Sequence, residues 1–444
     1  MAVKDRIFTG ECAELFFTEK GKFIPALLSA SIQHEFHIVT MKDNREIWIY
    51  RKEGYYESNG TEELRRIVKQ ILGGKYRENY AQATIDDITA STYIERINFH
   101  HPEHLIPVQN GMIDLLSPEP YELLKHDPKY YVTGIISVEY NPKAECPKFN
   151  KFLEEILPNI TDRIKIQEGF GNCLTNSRDY MIIYMLYGEG YNGKSTLLNV
   201  LMKLLGDHNV SKTSLFNLAY GQWYSADLFG KLANIYSDIG LKELKLTGTI
   251  KILTGDDVAQ GERKYQKHFH FRNNAKPFFS ANIIPKVYDN SDAFHRRWRI
   301  IPFNQKFPIG APQTIPGMIR KLTTKIELSG ILNWALEGLK RLRKQKTFSL
   351  LKTVETRREE WQLLSDPLSA FVHDCIKFGD ELYITKVDFY QAYRKYCVQR
   401  RLPVISKDKV GKTLPTIITN VGEIYKTIGK RQIRSWSGIK LKEN

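Results

Sequence analysis

The sequence predicts an α/β protein in which a mainly parallel sheet surrounds a phosphate-type loop, with an α+β segment before it and a basic helix-and-hairpin module after it. Three observations predict this. The apolar run YMIIYMLY ends in GEGYNGKST and continues as a leucine-rich helix. Further apolar runs of strand length, LANIYSD, KHFHF, KPFFSAN and WRIIPF, alternate with loops and helices, the pattern of parallel strands joined by crossovers. The last seventh of the chain alternates helices with a final pair of short strands around Gly429-Lys430-Arg431, an arrangement that predicts a winged helix.

The elements follow in order. Residues 1–140 mix short strand-like runs such as REIWIYRKEGYYES with the helix ELRRIVKQILGG, which Gly73-Gly74 stops, and read as an α+β N-terminal domain. Residues 141–180 read as a collar of two or three short helices, punctuated at Pro158-Asn159 and Gly171-Asn172. Residues 181–345 form the α/β core, closed by SGILNWALEGLKRLRKQ, whose Leu332, Leu336, Leu339 and Leu342 share one helix face. Residues 346–366 read as a connecting helix or linker, and 367–444 as the winged-helix domain, with helices expected in PLSAFVHDCIKF, KVDFYQAYRKYCVQR and KDKVGKTLPTII.

Charge points to a polyanion partner. The chain has 65 Lys+Arg against 50 Asp+Glu, a net +15, and 14 basic but only 5 acidic residues fall between Glu381 and Asn444. Such a concentration fits a nucleic-acid-binding tail. No segment approaches the roughly 20 apolar residues of a membrane span, and MAVKDRIFTGEC lacks a signal-peptide core, so a cytoplasmic protein with no membrane partner is expected. The five cysteines are scattered without a CxxC, which predicts ordinary thiols. His100, His101 and His104 in NFHHPEHL lack accompanying ligands, and His268 and His270 share one face of a predicted strand as core or channel lining. In YQAYRKYCVQRR, Tyr390 to Arg401, the aromatics are expected to pack a core rather than contact nucleic acid.

Gly188-Glu189-Gly190-Tyr191-Asn192-Gly193-Lys194-Ser195 matches G-x-x-x-x-G-K-[ST] with the required strand before and helix after. The glycines, Gly188, Gly190 and Gly193, permit a loop whose N–H groups turn inward, and the helix that follows aims its positive end at the same point. Asn192, Lys194, Ser195 and Thr196 complete the candidate ATP-binding set; Lys194 reaches the β- and γ-phosphates and Ser195 ligates Mg²⁺. Asp238 ends LANIYSD, where a second metal-binding acid belongs; Asn282 ends KPFFSAN, placed to position water; Arg296 and Arg297 precede the last strand as candidate trans arginines.

The series GEGYNGKST, IYSDIG, KILTGDD…ERKYQ, KPFFSAN and FHRRWRIIPF resembles the motifs of superfamily 3 helicases, above all the helicase half of phage, plasmid and poxvirus primase-helicases. VQNGMIDL, the KHDPKYYVTGIISVEYNPKAECPKF run and EGFGNCL resemble the region before the motor in those proteins, so the likeness spans about residues 40–370. The resemblance implies an AAA+ core that assembles as a ring, usually a hexamer, with ATP sites between subunits. It implies translocation on single-stranded DNA, typically 3′→5′, with unwinding of duplex at a fork or origin and a primase or polymerase as partner. By the same resemblance a hairpin projects into the central channel with Arg263, Lys264 and Tyr265 at its tip and Lys267 nearby, gripping phosphates without reading bases. Lys430, Arg431 and Arg434 are the DNA-contact candidates of the tail. The chain departs from many relatives in supplying one acid, Ser237-Asp238, at the end of the second motif, so Asp238 serves as metal ligand, general base, or both; Arg297 is favoured over Arg296 as the trans arginine. No hydrophobic-Asp-x-Asp pair precedes residue 180, so the first 140 residues are not expected to polymerise nucleotides. The competing expectation is an origin-binding initiator or loader whose ATPase drives assembly.

Overall fold

The computed structural model describes residues 13–221, 223–240, 242–263, 268–308, 310, 317–400, 402–419, 421–428 and 431–442. At the N-terminus, a four-stranded sheet of order β3-β2-β1-β4 comprises β1 (Ile38–Met41), β2 (Ile47–Tyr50), β3 (Tyr56–Glu57) and β4 (Tyr93–Ile94). Helices α1 (Pro25–Glu35), α2 (Gly60–Leu72) and α3 (Glu78–Ser91) bury Leu28, Ile32, Leu64, Ile67 and Ile88 against it. Gly73 stops α2 as expected, at φ +50, where its N–H donates to the Lys69 carbonyl.

Strands β5 (Leu105–Val108), β6 (Gly111–Asp114) and β7 (Glu122–Leu124) form a small antiparallel sheet. Its Ile106, Val108 and Ile113 belong to the same core as α4 (Pro147–Ile156) and α5 (Ile160–Asn172), the two helices of the collar-like segment.

The central sheet has the order β14-β8-β13-β10-β9 and every pairing is parallel. It contains β8 (Ile183–Tyr187), β9 (Val210–Ser211), β10 (Ala233–Tyr236), β13 (Lys276–Ala281) and β14 (Trp298–Pro302). Its strands read as mainly apolar runs, interrupted by Asn234, Lys276, Ser280 and Arg299, because both faces are covered, by α6 (Lys194–Leu205) and α5 on one side and by α7 (Leu215–Tyr220) and α8 (Gly248–Leu253) on the other. KHFHF is not part of this sheet. It supplies β12 (Phe269–Phe271), which pairs antiparallel with β11 (Ala259–Gly261) in a separate hairpin, and its His268 and His270 are exposed rather than core. Two short helices, α9 (Asp292–His295) and α10 (Met318–Leu322), lead to α11 (Lys325–Gln345), which buries Leu332, Leu336, Leu339 and Leu342 as its spacing requires. It crosses α5 closely, since a Cβ on Gly171 would strike the Ala335 carbonyl and one on Gly338 the Gln167 carbonyl.

Beneath that crossing Glu168, on α5, is fully buried and accepts from Arg299 of β14 at 3.2 Å, from Arg341 of α11 at 3.1 Å and from the Ser349 N–H at 3.1 Å. Lys276, at the start of β13, is also fully buried; its Nζ donates to the Thr175 carbonyl at 2.5 Å, and burial pushes its pKa down to about 8.

The stretch expected as a connector is helix α12 (Val354–Ser365), anchored by Trp361, which lies 4.6 Å from the Trp298 ring and donates Nε1–H to the Pro285 carbonyl at 3.1 Å. The C-terminal module comprises α13 (Pro367–Cys375), β15 (Ile376–Thr385), α14 (Lys386–Arg400), α15 (Lys407–Ile417), β16 (Glu423–Ile428) and β17 (Arg431–Leu441), its strands in the order β15-β17-β16. The helix expected from PLSAFVHDCIKF ends at Cys375, because IKFGDELYIT pairs with β17 as a long strand. Tyr393 and Tyr396 of α14 pack around Phe371 in the module's core, as their spacing suggests. Among the described residues no helix is long and apolar enough to cross a membrane, and no group of three His, Cys, Asp or Glu gathers as a metal site.

Candidate active site

The loop from Gly188 to Gly193 leaves the carboxyl end of β8 and enters α6. Its reversal uses left-handed backbone at Tyr191 (φ +60) and Gly193 (φ +86), and a Cβ on Gly193 would run into Ile156 of α4. Asn192 is buried and clamps the loop: its Nδ2 donates to the Phe303 carbonyl at 3.1 Å, while its Oδ1 accepts from Lys194 Nζ at 2.9 Å. Lys194 Nζ also donates to the carbonyls of Gly188 at 2.6 Å and Glu189 at 3.0 Å. Every one of these partners is a neutral oxygen. Burial therefore pushes the Lys194 ammonium down to about 8, with the Asp238 carboxylate acting in the opposite direction. A buried cation solvated by carbonyls at the mouth of a helix N-terminus is the chemistry of an anion site. Ser195 is exposed and Thr196 half-buried on the first turn of α6, and Gly190 faces open space.

The sheet order decides what stands beside this loop. Strand β13 lies between β8 and β10, with Ala281 paired to Tyr187 and Tyr236 to Phe279, so Asn282 and Asp238 leave the same carboxyl edge as the loop. The Gly188 N–H donates to the Ala281 carbonyl at 3.1 Å. Asp238 adopts left-handed backbone (φ +65), fixed by its N–H on the Ser280 hydroxyl at 3.1 Å and by the Ile239 N–H on the Ser280 carbonyl at 2.9 Å. Asp238 and Asn282 both present exposed side chains there. Ser280 was not anticipated; its signal is that it is the one hydroxyl in the strand KPFFSA, following two phenylalanines.

Arg296 and Arg297 stand at the opposite edge. The Arg297 carbonyl accepts from the Ile183 N–H at 2.6 Å, at the amino end of β8, whereas the loop follows its carboxyl end. Five strand residues separate the two ends, roughly 15 Å at 3.3 Å per residue, so neither arginine serves the loop of its own chain. The Arg297 guanidinium is turned inward onto the Ala293 and Lys251 carbonyls, and burial, then the neighbouring Arg296, lowers its pKa. Arg296 is exposed. Both line a cavity of about 560 Å³ with Arg178, Asp256, Asp257 and Arg357.

Of the hairpin candidates, Lys264, Tyr265 and Lys267 lie outside the described residues, as does Lys430 of the tail. Arg263 is not a free tip residue. Its guanidinium pairs with Glu46 of the β1–β2 turn at 2.7 Å and lies over the Phe269 ring. The same turn holds Arg96 through Asp43 at 2.7 and 2.9 Å, and the buried Arg96 guanidinium stacks 4.7 and 4.4 Å from the Phe229 and Phe269 rings. Sequence reasoning missed this clasp, because its partners lie 53 to 217 residues apart along the chain. On β17, Arg431 and Arg434 are exposed, and Arg434 Nε donates to the Tyr425 hydroxyl at 3.1 Å. His101 is buried, with its pKa pushed down to about 4 by burial.

Comparison with known proteins bears on the family. Residues 27–158 match the family described as "D5 N terminal like", and residues 186–297 match a family of unknown function, DUF5906. A protein of Acanthamoeba polyphaga mimivirus, provisionally named a helicase, is 26% identical over 258 residues, which cover 56% of this chain and 26% of that protein. A protein of African swine fever virus, provisionally named a primase, is 28% identical over 207 residues, 44% of this chain and 21% of that one. The chain thus spans about a quarter of the length of these relatives. Among solved structures, two apo forms of the C-terminal region of NrS-1 superpose with TM-scores of 0.48 and 0.46 at 12% identity, covering 93% of this chain and 99% of theirs. Taken with the motif series, the N-terminal family match and the viral relatives support a likeness to phage and viral primase-helicases.

Proposed function

We propose that the chain is the motor of an ATP- and Mg²⁺-dependent replicative DNA helicase with an AAA+ core, which forms a ring, moves on single-stranded DNA in the 3′→5′ sense and opens duplex ahead of it. The observation that carries the reading is the single edge on which the buried Lys194, Asn282 and Asp238 meet. In this reading Lys194 exchanges its carbonyl partners for β- and γ-phosphate oxygens, and the loop and helix N–H groups receive the remainder. Ser195 and Asp238 would hold Mg²⁺, which when bound supplies charge neutralisation at the β- and γ-oxygens. Asn282 holds the attacking water in line and Asp238 accepts its proton or orients it. The residues fit that cargo: Mg²⁺ with ATP needs only one or two protein oxygens, and two are offered.

The position of Arg296 and Arg297 supports the ring. Being on the edge opposite their own loop, they can act only on a neighbour's nucleotide. Arg296, exposed, is the better finger by geometry, while Arg297, tied to two carbonyls, holds it in place. An Arg296→Ala chain mixed with a Lys194→Ala chain should then regain part of the activity each lacks alone. Arg296→Ala alone should lower hydrolysis by on the order of 10³-fold. Absence of any recovery on mixing would remove the trans assignment.

DNA contact is assigned to the hairpin between β11 and β12 and to the C-terminal module, whose helices and three-stranded sheet we take as a winged helix. Glu46→Gln, by releasing Arg263, should strengthen single-stranded DNA binding several-fold at low salt while costing on the order of 1–3 kcal/mol of stability, since the same carboxylate also lies 3.6 Å from the buried Arg96 guanidinium. Fluorescence anisotropy across a salt series and a thermal melt measure the two effects. The second reading, an origin-binding initiator, is favoured by the excess charge on the tail, where Arg431 and Arg434 are exposed. Hydrolysis per subunit, measured against protein concentration with and without single-stranded DNA, separates them: a rate rising with both supports the motor, and a flat one leaves the initiator.

A further inference from the structure

The segment from Asp292 to Trp298, which carries Arg296 and Arg297, is held by helix α12 as well as by the sheet. Arg357, in the first turn of α12, donates through Nη1 to the Arg296 carbonyl and through Nε to the Lys352 carbonyl at 3.0 Å. Arg358 beside it pairs with the Asp292 carboxylate. Trp361, one turn after Arg357 and on the same side of the helix, lies 5.3 Å from the Phe294 ring and 4.6 Å from the Trp298 ring. The Arg296 carbonyl stands at the carboxyl end of α9, where a helix leaves its last carbonyls without backbone donors; Arg357 supplies one. On the other side the Arg296 N–H donates to the Asp292 carbonyl at 2.9 Å, and the Arg297 carbonyl is fixed by the Ile183 N–H at 2.6 Å. The backbone of Arg296 is thus tied on both sides while its side chain stays exposed. A fixed root with a free charged end is what a group needs to reach one point on another molecule.

Stability alone does not account for Arg357. It is half-buried, it donates to two neutral carbonyls, and burial, then the Arg299 charge, lowers its pKa. It also shares with Arg296 the cavity of about 560 Å³, which five cationic and three acidic side chains line. Keeping a guanidinium there is unfavourable in itself, so the Arg296 carbonyl that it holds gives the reason for its place.

We propose that Arg357 is a positioning residue for Arg296: by fixing the Arg296 carbonyl it sets where that guanidinium projects from the edge of the core. The inference rests on the reading of Arg296 as an arginine that acts on a neighbour's nucleotide, and deepens it. Arg357 stands with Arg296 on the edge opposite the loop of its own chain, so its removal leaves that loop as it was and weakens what the chain gives to its neighbour.

The test is steady-state ATP hydrolysis by the full chain in the presence of single-stranded DNA. Arg357→Met keeps the packing of the stem and removes the donors, while Arg357→Lys keeps one donor group. For Arg357→Met the expected result is a kcat lower by about ten-fold or more, with KM for ATP within about two-fold of wild type. Arg357→Lys should lose less. An equal mixture of Arg357→Met and Lys194→Ala chains should regain part of the missing rate, because one supplies a sound loop and the other a sound arginine segment. An unchanged kcat in Arg357→Met, equal losses in the two variants, or a raised KM with kcat kept would overturn the proposal. So would a lack of recovery in that mixture when Arg296→Ala and Lys194→Ala chains do recover together. Failure of both mixtures would instead overturn the trans reading on which the proposal stands.

Discussion

Lys194→Ala should abolish ATP hydrolysis, lowering the rate by on the order of 10²–10³-fold, the loss expected when one preorganised charge at a developing anion is removed. The fold should survive. The substitution leaves the carbonyls of Gly188 and Glu189 and the Asn192 amide without their shared donor, but it also removes a charge whose burial is unfavourable, as the fall of its pKa to about 8 records. These two effects act in opposite directions, so the melting temperature should move by only a few degrees. Lys194→Arg is a sharper control, because it keeps the charge but brings a planar fork into a socket lined by three oxygens; it too should fail in hydrolysis. Steady-state phosphate release, with circular-dichroism melts of each variant, decides the matter. Hydrolysis at the wild-type rate in Lys194→Ala would place the chemistry elsewhere in the chain.

The second large effect lies away from the nucleotide. Glu168→Leu should destabilise the chain by about 3–5 kcal/mol, because it strands the buried Arg299 and the part-buried Arg341 and leaves the Ser349 N–H without its acceptor. Desolvation alone gives the pair little net worth; the loss comes from leaving a guanidinium unpaired where water cannot reach it. Because Arg299 sits on β14 two residues after Arg297, the variant should also disturb the edge that carries Arg296 and Arg297. Glu168→Gln, which keeps the shape and one acceptor, should lose distinctly less. Denaturant midpoints measure both, and equal stability of Glu168→Leu and wild type would show that the cluster contributes nothing.

These two residues differ in how they could have been found. Lys194 is legible because its surroundings are its own neighbours: glycines that allow a reversal, a strand that ends and a helix that begins all lie within a few positions of it. The helix face of Leu332 to Leu342, the stop at Gly73 and the apolar runs of β8, β13 and β14 are legible for the same reason, since period and backbone freedom are local properties. Glu168 sits in QEGFGN and reads as one more surface acid. Its burial depends on Arg299, 131 residues later, and on Arg341 and Ser349, further still. Likewise Arg263 reads as a solvent-facing tip, and Glu46, 217 residues earlier, pairs with it. The strand IKFGDELYIT was missed because its apolar residues run on from α13 without a break, and only pairing with β17 decides where helix gives way to strand.

By itself, then, the sequence determined the phosphate-type loop, the run of strands and helices around it, the basic tail and the likeness to primase-helicases. Tertiary structure alone decided that β13 separates β8 from β10, so that Asn282 and Asp238 reach the loop's edge while Arg296 and Arg297 are carried to the far one. It also decided which charges are paired. The reason is physical: backbone conformation responds to the few residues on either side, whereas strand order, burial and the pairing of charges in a low-dielectric interior are set by segments that meet only when the chain has folded.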